Sequence, residues 1–447
     1  MKTPRATSLS ASRSQRGSVL IIVMWICLGL VALTLYFANS MSSELRAADN
    51  RVTEIAARQA VAGGTRYAAY VLTQFATGGA VPNVEDYKAE ALPVGDAKFW
   101  LIGRDTDQAP TTEPYFGLVD EASKLNLNTA TRAMLEALPG MTPDLAAAIV
   151  AWRSANGQSS DNTYAQLQPP RRNKSAPFES IDELRLVYGA TLDLLLGEDA
   201  NRNGVLDANE DDGEQSAPRD NQDGQLLAGI LEYVTVYSRQ PATSATGARR
   251  VDIRSPQTRQ QLPQRLTQRG ITQPRVAQMM QRVGNSTFTS VADFMLATQM
   301  TADEFALIHT DVTAATAANG IAQGLVNVNT ASETVLACIP GIGTENAATL
   351  VAYRLAHPDV LTSFAWVSQI LTPANLRRAG PYITDQSYQF SADIAAAGNN
   401  GRGYSREKVV FDVSAGTPRI ISHQDLTAYG WALGSEARRT LRTAKNT

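Results

Sequence analysis

The chain has 447 residues, of which 44% are hydrophobic, and this is enough for two or three domains with sizeable cores. Its 40 basic and 43 acidic side chains give a formal net charge of −3, which argues against the basic surface of a typical nucleic-acid-binding protein. The two cysteines are Cys27, in an apolar run, and Cys338, far along the chain. An internal disulfide is therefore not expected.

The amino terminus joins a basic segment to a long uncharged run. Four basic residues lie within residues 1–17, and the next charged residue is Glu44. The 19 residues from Val19 to Phe37 form an apolar run of about 28 Å as a helix, close to the roughly 30 Å of a bilayer core. Because the basic residues precede this run, a single membrane span is expected, with the amino terminus in the cytoplasm. A cleaved secretory signal is the alternative, although its apolar core is usually only about 7–15 residues long.

The helical pattern continues beyond this run. Gly78-Gly79 and the following Pro82 end it, so one helix over residues 18–77 is predicted to lead from the membrane into a globular part. Its apolar positions, at helical spacing, are Leu45, Ala48, Val52, Ile55, Tyr67 and Tyr70.

The predicted fold class is α+β, with the long helix followed by an antiparallel sheet and a large, mainly helical insertion. The first part of the sheet is expected in residues 78–122 and its closing strands in residues 381–447, with the inserted helical domain at 123–324 and a further helical unit at 325–380. β-forming residues bounded by turn residues predict strands at 97–102, 115–119, 388–394, 408–413 and 418–422.

An internal repeat supports the helical insertion. Residues 126–153 and 327–354 agree at 12 of 28 positions, and each places Asn-Thr before a helix, Pro-Gly at a turn and a second helix after it. These units resemble helix-hairpin-helix motifs, which implies either nonspecific DNA binding through hairpin amides or a packing role. Pro143 lacks an amide donor, and Asp144 and Glu345 repel phosphate, so packing is favoured.

Residues 199–210 match the 12-residue calcium loop of an EF-hand. Carboxylate and amide oxygens occupy positions 1, 3, 5, 9 and 12, Gly204 stands at the turn position, and a backbone carbonyl serves position 7. Calcium is therefore the expected cofactor, and an acidic solvated loop is the alternative. The predicted ligands are Asp199, Asn201, Asn203, Val205, Asp207 and Glu210.

A second acidic cluster follows directly. Its spacing matches no complete calcium loop, but its oxygens are of the kind that calcium prefers, and so many carboxylates repel one another unless a cation is bound. A second ion is the expectation here. Its predicted ligands are Asp211, Asp212, Asp220, Asn221 and Asp223.

Arg16-Gly17-Ser18-Val19-Leu20 before an apolar helix resembles a type IV prepilin leader. With the repeats, the calcium loop and the terminal strands, the chain resembles the protein K family of type II secretion minor pseudopilins. The resemblance implies cleavage between Gly17 and Ser18 by a prepilin peptidase. Ser18 stands where such proteins usually have Phe or Met, and Ile22 stands where major pilins have Glu.

The resemblance further implies a pilin-like sheet domain and a structural role at the tip of a periplasmic pseudopilus. The implied partners are other minor pseudopilins, the inner-membrane assembly platform, and secreted substrates or the outer-membrane secretin. The implied location is the inner membrane, with one span and the bulk in the periplasm. A membrane-anchored helix-hairpin-helix protein of a DNA-uptake or type IV pilus machine is the alternative.

No catalytic constellation is evident in the sequence. His309, His357 and His423 are widely spaced and lack metal-ligand spacing, and no phosphate-binding loop, dinucleotide fingerprint or nucleophile elbow occurs. The chain is therefore not expected to be an enzyme.

Overall fold

The computed structural model describes residues 16–106, 113–155, 164–215, 219–284, 286–316, 319–398 and 401–443. Most of the predicted leader, residues 1–15, lies outside this part of the chain, while Gly17 and Ser18 fall in the first turn of a helix.

That helix, α1 (Arg16–Phe75), has 60 residues and is about 90 Å long. No residue between 19 and 55 is buried, whereas buried positions recur from Ala57 onward. Its early part has a mean hydropathy of 2.7, and within the described residues it is the one helix long and apolar enough to cross a membrane. The predicted long amino-terminal helix is present, with its ends at residues 16 and 75 where the sequence predicted 18 and 77. Gly78 and Gly79 lie beyond it with positive φ.

Short helices fill the middle of the chain. Many begin with a Ser or Thr whose hydroxyl accepts a hydrogen bond from a first-turn amide, as Thr131, Thr142 and Ser332 do. The helices after α1 are α2 (Arg132–Glu136), α3 (Pro143–Arg153), α4 (Leu192–Leu196), α5 (Ile230–Tyr233), α6 (Pro256–Arg259), α7 (Leu262–Gln268), α8 (Gln273–Val283), α9 (Val291–Thr298), α10 (Ala302–Ile308), α11 (Glu333–Ala337), α12 (Gly343–Ala356), α13 (Pro373–Ala379) and α14 (Gly434–Thr443).

The strands form one large sheet and several two-stranded pairs. They are β1 (Leu92–Val94), β2 (Ala97–Ile102), β3 (Val119–Asp120), β4 (Leu125–Asn126), β5 (Val234–Thr235), β6 (Arg239–Gln240), β7 (Val251–Asp252), β8 (Val312–Thr313), β9 (Ala322–Gln323), β10 (Val326–Asn327), β11 (Ile383–Thr384), β12 (Gln389–Ala397), β13 (Tyr404–Asp412) and β14 (Arg419–Asp425).

The large sheet is antiparallel and has the order β1-β2-β12-β13-β14, with β3 paired to the start of β12. The carboxyl-terminal strands therefore complete a sheet that β1 and β2 begin, as the sequence predicts. The strand expected at 115–119 is shorter than predicted. Phe116 makes a single bridge to Ile102, and ladder pairing resumes only at Val119, on the partner β12.

The second half of α1 packs across one face of this sheet. Ala57, Ala60, Val61, Ala68 and Leu72 are buried there, in a cluster with the sheet residues Phe99, Leu101, Phe390, Ile394, Val409 and Phe411. The contact is closest at Gly64, where an added Cβ would lie 2.7 Å from Ile394 Cγ2 and 2.9 Å from Phe99 Cδ2. Small residues on this helix face therefore set how near the helix approaches the sheet.

The helical insertion contains three modules of the same design. Each is closed by a parallel pair of two-residue strands, namely β4 with β5, β7 with β8, and β10 with β11. In each module, the second residue of the first strand has a side-chain oxygen that accepts a hydrogen bond from the backbone amide two residues later. These residues are Asn126, Asp252 and Asn327. The 28-residue sequence repeat covers only the first and third modules, because the middle module has Asp252 in place of the Asn.

Buried side chains of all three modules belong to one hydrophobic cluster, from Leu125 to Ile383. The predicted boundary at 324/325 therefore separates modules that share a core.

Gly64→Val should destabilise the protein by about 1–3 kcal/mol, because the added methyl groups must displace Phe99 and Ile394 from a close-packed contact. Chemical denaturation of the detergent-solubilised chain measures the change. Ala62→Val, at an exposed position two residues earlier, introduces the same β-branched side chain into the same helix and should cost only a few tenths of a kcal/mol. Equal effects of the two substitutions would contradict the close-contact interpretation.

Candidate metal centre

The predicted calcium loop folds as a closed ring of side-chain to backbone hydrogen bonds. Asp199 accepts the amides of Asn203 (3.0 Å) and Gly204 (2.9 Å), while the side chains of Asn201 and Asn203 each accept the amide two residues on. Glu210 closes the ring, accepting the amides of Ala200 (3.0 Å) and Asp207 (3.1 Å) with its two oxygens. The oxygens of positions 1, 3, 5 and 12 are thus gathered along the inside of one loop.

The turn at Gly204 has φ +79°, a conformation that glycine adopts at little cost. The loop is preceded by the short helix α4, and no helix follows it within the next ten described residues. It is therefore a lone calcium-type loop, without the paired helices of a complete EF-hand.

Two of the loop's three carboxylates are buried, and Asp207 is half-buried. Asp199 is 4% exposed and Glu210 is 1% exposed, and burial raises the pKa of both, that of Glu210 to about 7. A bound cation would offset this cost, because it favours the ionised carboxylates that desolvation disfavours.

The donor set is mixed. Within the described residues, no three His, Cys, Asp or Glu side chains form a metal-holding group of their own. A cation here would rely on the Asn201 and Asn203 amide oxygens and the Val205 carbonyl as well as on carboxylates. In this structure the amide nitrogens of both asparagines donate to Asp207 Oδ2, at 2.5 and 3.0 Å. Six oxygens of these types fit calcium, which takes six to eight oxygen ligands in flexible geometry.

The second acidic cluster is only partly brought together. Asp220 accepts the amides of Asp212 and Gly213, and Asp211 accepts the amide of Gly224. Asn221 and Asp223 are exposed and bond to each other and to nearby amides. These contacts close a second loop beside the first, and a second ion remains a prediction.

Two arginines, one in the large sheet and one just after β2, hydrogen-bond to the backbone of the predicted calcium loop. Arg406, in β13, is fully buried and forms a two-pronged ion pair with Asp393 of β12 at 2.8 and 2.5 Å. The same guanidinium donates to the carbonyls of Asn201 and Arg202. Burial alone lowers the pKa of Arg406, but Asp393 outweighs it, so the pKa is raised and the charge is kept.

Arg104, just after β2, also hydrogen-bonds to the backbone of this loop. It donates to the carbonyls of Arg202 (2.9 Å) and Asn203 (3.2 Å) and to Glu232 (2.8 Å). Burial raises the pKa of Glu232, yet Arg104 and Lys124 outweigh it and lower this pKa to about 2. A largely buried ion pair therefore joins the segment after β2 to α5, at the end of the first module.

A cavity of about 560 Å³ opens beside this pair. Lys124 lines it, and its ammonium lies 3.9 Å from Glu232. Burial lowers the pKa of Lys124 to about 8.

Sequence reasoning missed both arginines and their partners. One signal was available at Asp393, the charged residue of a strand that is otherwise suited to burial, since buried charges need partners. Arg406 gave no such signal, because Glu407 and Lys408 follow it in β13. Which loop the arginines would reach could not be read from the sequence.

The three histidines and Ile22, which the sequence analysis also considered, lie apart from this loop. His309 is 2.9 Å from Asp385, His357 stacks on Tyr353, and His423 pairs with Glu407. Ile22 is exposed on the apolar half of α1.

The two predicted hairpins differ in their surroundings. The first, around Gly140, is exposed, and it keeps the Pro143 and Asp144 that disfavour phosphate. In the second, a Cβ at Gly341 would lie 2.4 Å from the Asn375 carbonyl of α13. The backbone of that hairpin is therefore pressed against a neighbouring helix.

Comparison with known proteins finds similarity to a motif family and to solved structures. A helix-hairpin-helix motif family matches residues 120–167, which hold the first predicted unit. This chain is similar to a chain in the crystal structure of the GspK-GspI-GspJ complex from the enterotoxigenic Escherichia coli type 2 secretion system, with 10% identity and a TM-score of 0.37. The match covers 86% of this chain and 99% of that chain. No curated protein matches.

Glu232→Gln tests the buried pair through pH. The pKa of this carboxyl is depressed on folding from 4.5 to about 2, so its stabilising contribution is complete above pH 4.5 and is lost as the pH falls through 2. The free energy of unfolding should therefore fall less steeply in the variant than in the wild type across this range, as measured by urea denaturation. The exposed Glu85→Gln is the control and should follow the wild type. Parallel curves for Glu232→Gln and the wild type would contradict the assignment.

Proposed function

We propose that the chain is a minor pseudopilin of a type II secretion system, with a structural and docking role at the tip of the pseudopilus during export of folded proteins across the outer membrane. The observation that carries the proposal is α1. One continuous helix presents an exposed apolar half and then packs its second half on an antiparallel sheet. Such a helix serves as a membrane anchor before assembly and as a stalk within a filament.

The position of the helical insertion supports a place at the tip. It meets the carboxyl end of α1 at Gly78, where an added Cβ would lie 3.0 Å from Ala245 Cβ. Tyr388, at the start of the closing strands, donates to the Gly78 carbonyl (3.2 Å). Arg250, in the linker between the first two modules, donates to Tyr388. This end is the one farthest from the apolar half. In a filament whose subunits stack along their stalk helices, a domain there obstructs a further subunit above.

Ile22 supports the same place. In the prepilin resemblance it occupies the fifth mature position, where an acid would neutralise the amine of a neighbouring subunit. An isoleucine leaves that amine without a counter-charge in an apolar setting, which suits a subunit with neighbours on one side only.

The proposed partners are the prepilin peptidase, two smaller minor pseudopilins, the inner-membrane assembly platform, and secreted substrates or the outer-membrane secretin. The proposed location is the inner membrane, with the globular part in the periplasm. A DNA-binding role is less favoured, because the first hairpin carries Asp144 and the second is packed against α13.

Calcium bound to residues 199–210 is part of the proposal. The residues present offer three carboxylates, two amide oxygens and one carbonyl, and two of those carboxylates are buried at a cost that a cation offsets. The ion would hold the loop closed and stabilise the folded insertion.

Gly17→Ala should block removal of residues 1–17 in cells that contain a prepilin peptidase, because the residue before the cut would no longer be glycine. Amino-terminal sequencing of the membrane fraction should find Ser18 first in the wild type and the full-length chain in the variant. Gly29→Ala, at a position with no neighbour within 4 Å of the added atom, is the matched control and should be processed normally.

The processed wild type should co-purify with smaller minor pseudopilins and show no salt-dependent DNA binding. A mature protein that begins elsewhere than at Ser18 would contradict the proposal. DNA binding that weakens steeply with salt would favour the alternative.

Asp199→Ala combined with Glu210→Ala should abolish the stabilisation of the protein by calcium. At free calcium of about 100 times the dissociation constant, a folded-state site adds roughly 2.7 kcal/mol of stability, and magnesium should substitute poorly because it demands near-octahedral geometry. Thermal unfolding with calcium and with chelator measures the difference. Glu85→Ala with Asp86→Ala removes two exposed carboxylates and should keep the response. An equal thermal shift in both double variants would remove the metal from the proposal.

A further inference from the structure

We infer that Arg104 and Arg406 couple calcium binding in the loop to docking of the helical insertion on the large sheet. They act as positioning residues that fix the backbone of Asn201–Asn203 while touching no predicted ligand atom. This inference rests on the calcium proposal above.

The first step is that both arginines reach the loop from the sheet side. Arg406 belongs to β13 and Arg104 follows β2 directly, whereas the loop belongs to the insertion. Both donate to the Arg202 carbonyl, Arg406 at 2.8 Å and Arg104 at 2.9 Å. Arg406 also donates to the preceding carbonyl, that of Asn201, and Arg104 to the following one, that of Asn203. Arg202 itself has φ +59°, so the loop backbone at this point is held in an unusual conformation by two guanidinium groups.

The second step is that the arginines leave the metal ligands free. They take the carbonyls of residues 201, 202 and 203, while the calcium loop pattern uses the side-chain oxygens of residues 199, 201, 203, 207 and 210 and the carbonyl of residue 205. Because the arginines hold the backbone carbonyls, they fix the orientation of the Asn201 and Asn203 side chains. The side-chain oxygens of these two residues stay available for a cation. Preorganisation of this kind raises affinity because less ordering remains to be done on binding.

The third step concerns charge. Two unpaired cations beside a metal site would oppose a second cation. Here Arg406 is paired with Asp393 and Arg104 with Glu232, so each guanidinium brings its own neutralising carboxylate. The arrangement therefore grips the loop without a net repulsive charge.

The fourth step is the close approach at Gly204. A Cβ at this position would lie 2.7 Å from Arg104 Nε. The glycine that the calcium pattern requires for the turn is thus also the place where the sheet arginine meets the loop. Because Gly204 both forms the turn of the loop and contacts Arg104, a change in the conformation of the loop at Gly204 also changes its contact with Arg104.

Coupling between metal binding and docking must be reciprocal. The test uses the detergent-solubilised full chain and calcium chloride, titrated by calorimetry. The variant is Arg406→Gln with Asp393→Asn, which removes both charges together and leaves no unpaired buried ion. Its calcium dissociation constant should rise by about tenfold, a typical coupling factor.

Arg354→Gln is the matched control. Arg354 is 2% exposed and also donates to backbone carbonyls, those of Val328 and Ala331, in the third module. Its replacement should lower stability but leave the calcium dissociation constant unchanged. An unchanged constant in the Arg406 variant, or the same rise in the control, would overturn the inference.

A measurement on the wild type covers the case in which the Arg406 variant does not fold. Calcium should slow amide hydrogen exchange in β13 around Ser405–Glu407, in the sheet, as well as in the loop. Slowing confined to the loop would overturn the coupling. Absence of any calcium binding to the wild type would instead refute the calcium proposal itself, and processing at Ser18 would be untouched by either result.

Discussion

The buried ion pair between Arg406 and Asp393 is the interaction on which the arrangement of this protein depends. A charged pair inside a protein stabilises little by itself, but removing one partner typically costs about 3–5 kcal/mol. Here the remaining donors of the arginine hydrogen-bond to the backbone of the predicted calcium loop. This ion pair lies where the large sheet meets the loop of the insertion. Removing either Arg406 or Asp393 alone would leave a buried charge without its partner at this contact.

The stalk helix places the same chain in two different surroundings. Up to about residue 55 it has no buried residue, and from Ala57 it forms one wall of a core with the sheet. In the proposed membrane-anchored state, this rigid helix holds the sheet and the domains packed on it at a fixed distance from the membrane. The proposed tip role follows from this geometry, since the insertion occupies the end of the helix that is remote from the membrane.

The insertion is built by repetition of one small module, and repetition explains what sequence reasoning found and missed. Asn126 and Asn327 stand in segments alike enough to align, whereas the middle module keeps only the capping chemistry, with Asp252 in the same role. Its parallel strand pair is two residues long, too short for any periodicity to register. Such a pair is recognised only when its partner, about 60 residues away, is seen beside it.

Local chemistry made much of the molecule predictable. The uncharged run after a basic segment, the alternating strands near the carboxyl end and the ligand spacing of residues 199–210 are all patterns within a few turns of chain, and each predicted an element of the fold or a site. The tertiary structure alone decided which distant groups meet: Arg104 and Arg406 on the loop carbonyls, Gly64 against Phe99. Those contacts depend on how separately folded pieces dock, and docking is set by shape and buried charge across hundreds of residues, which no local pattern records.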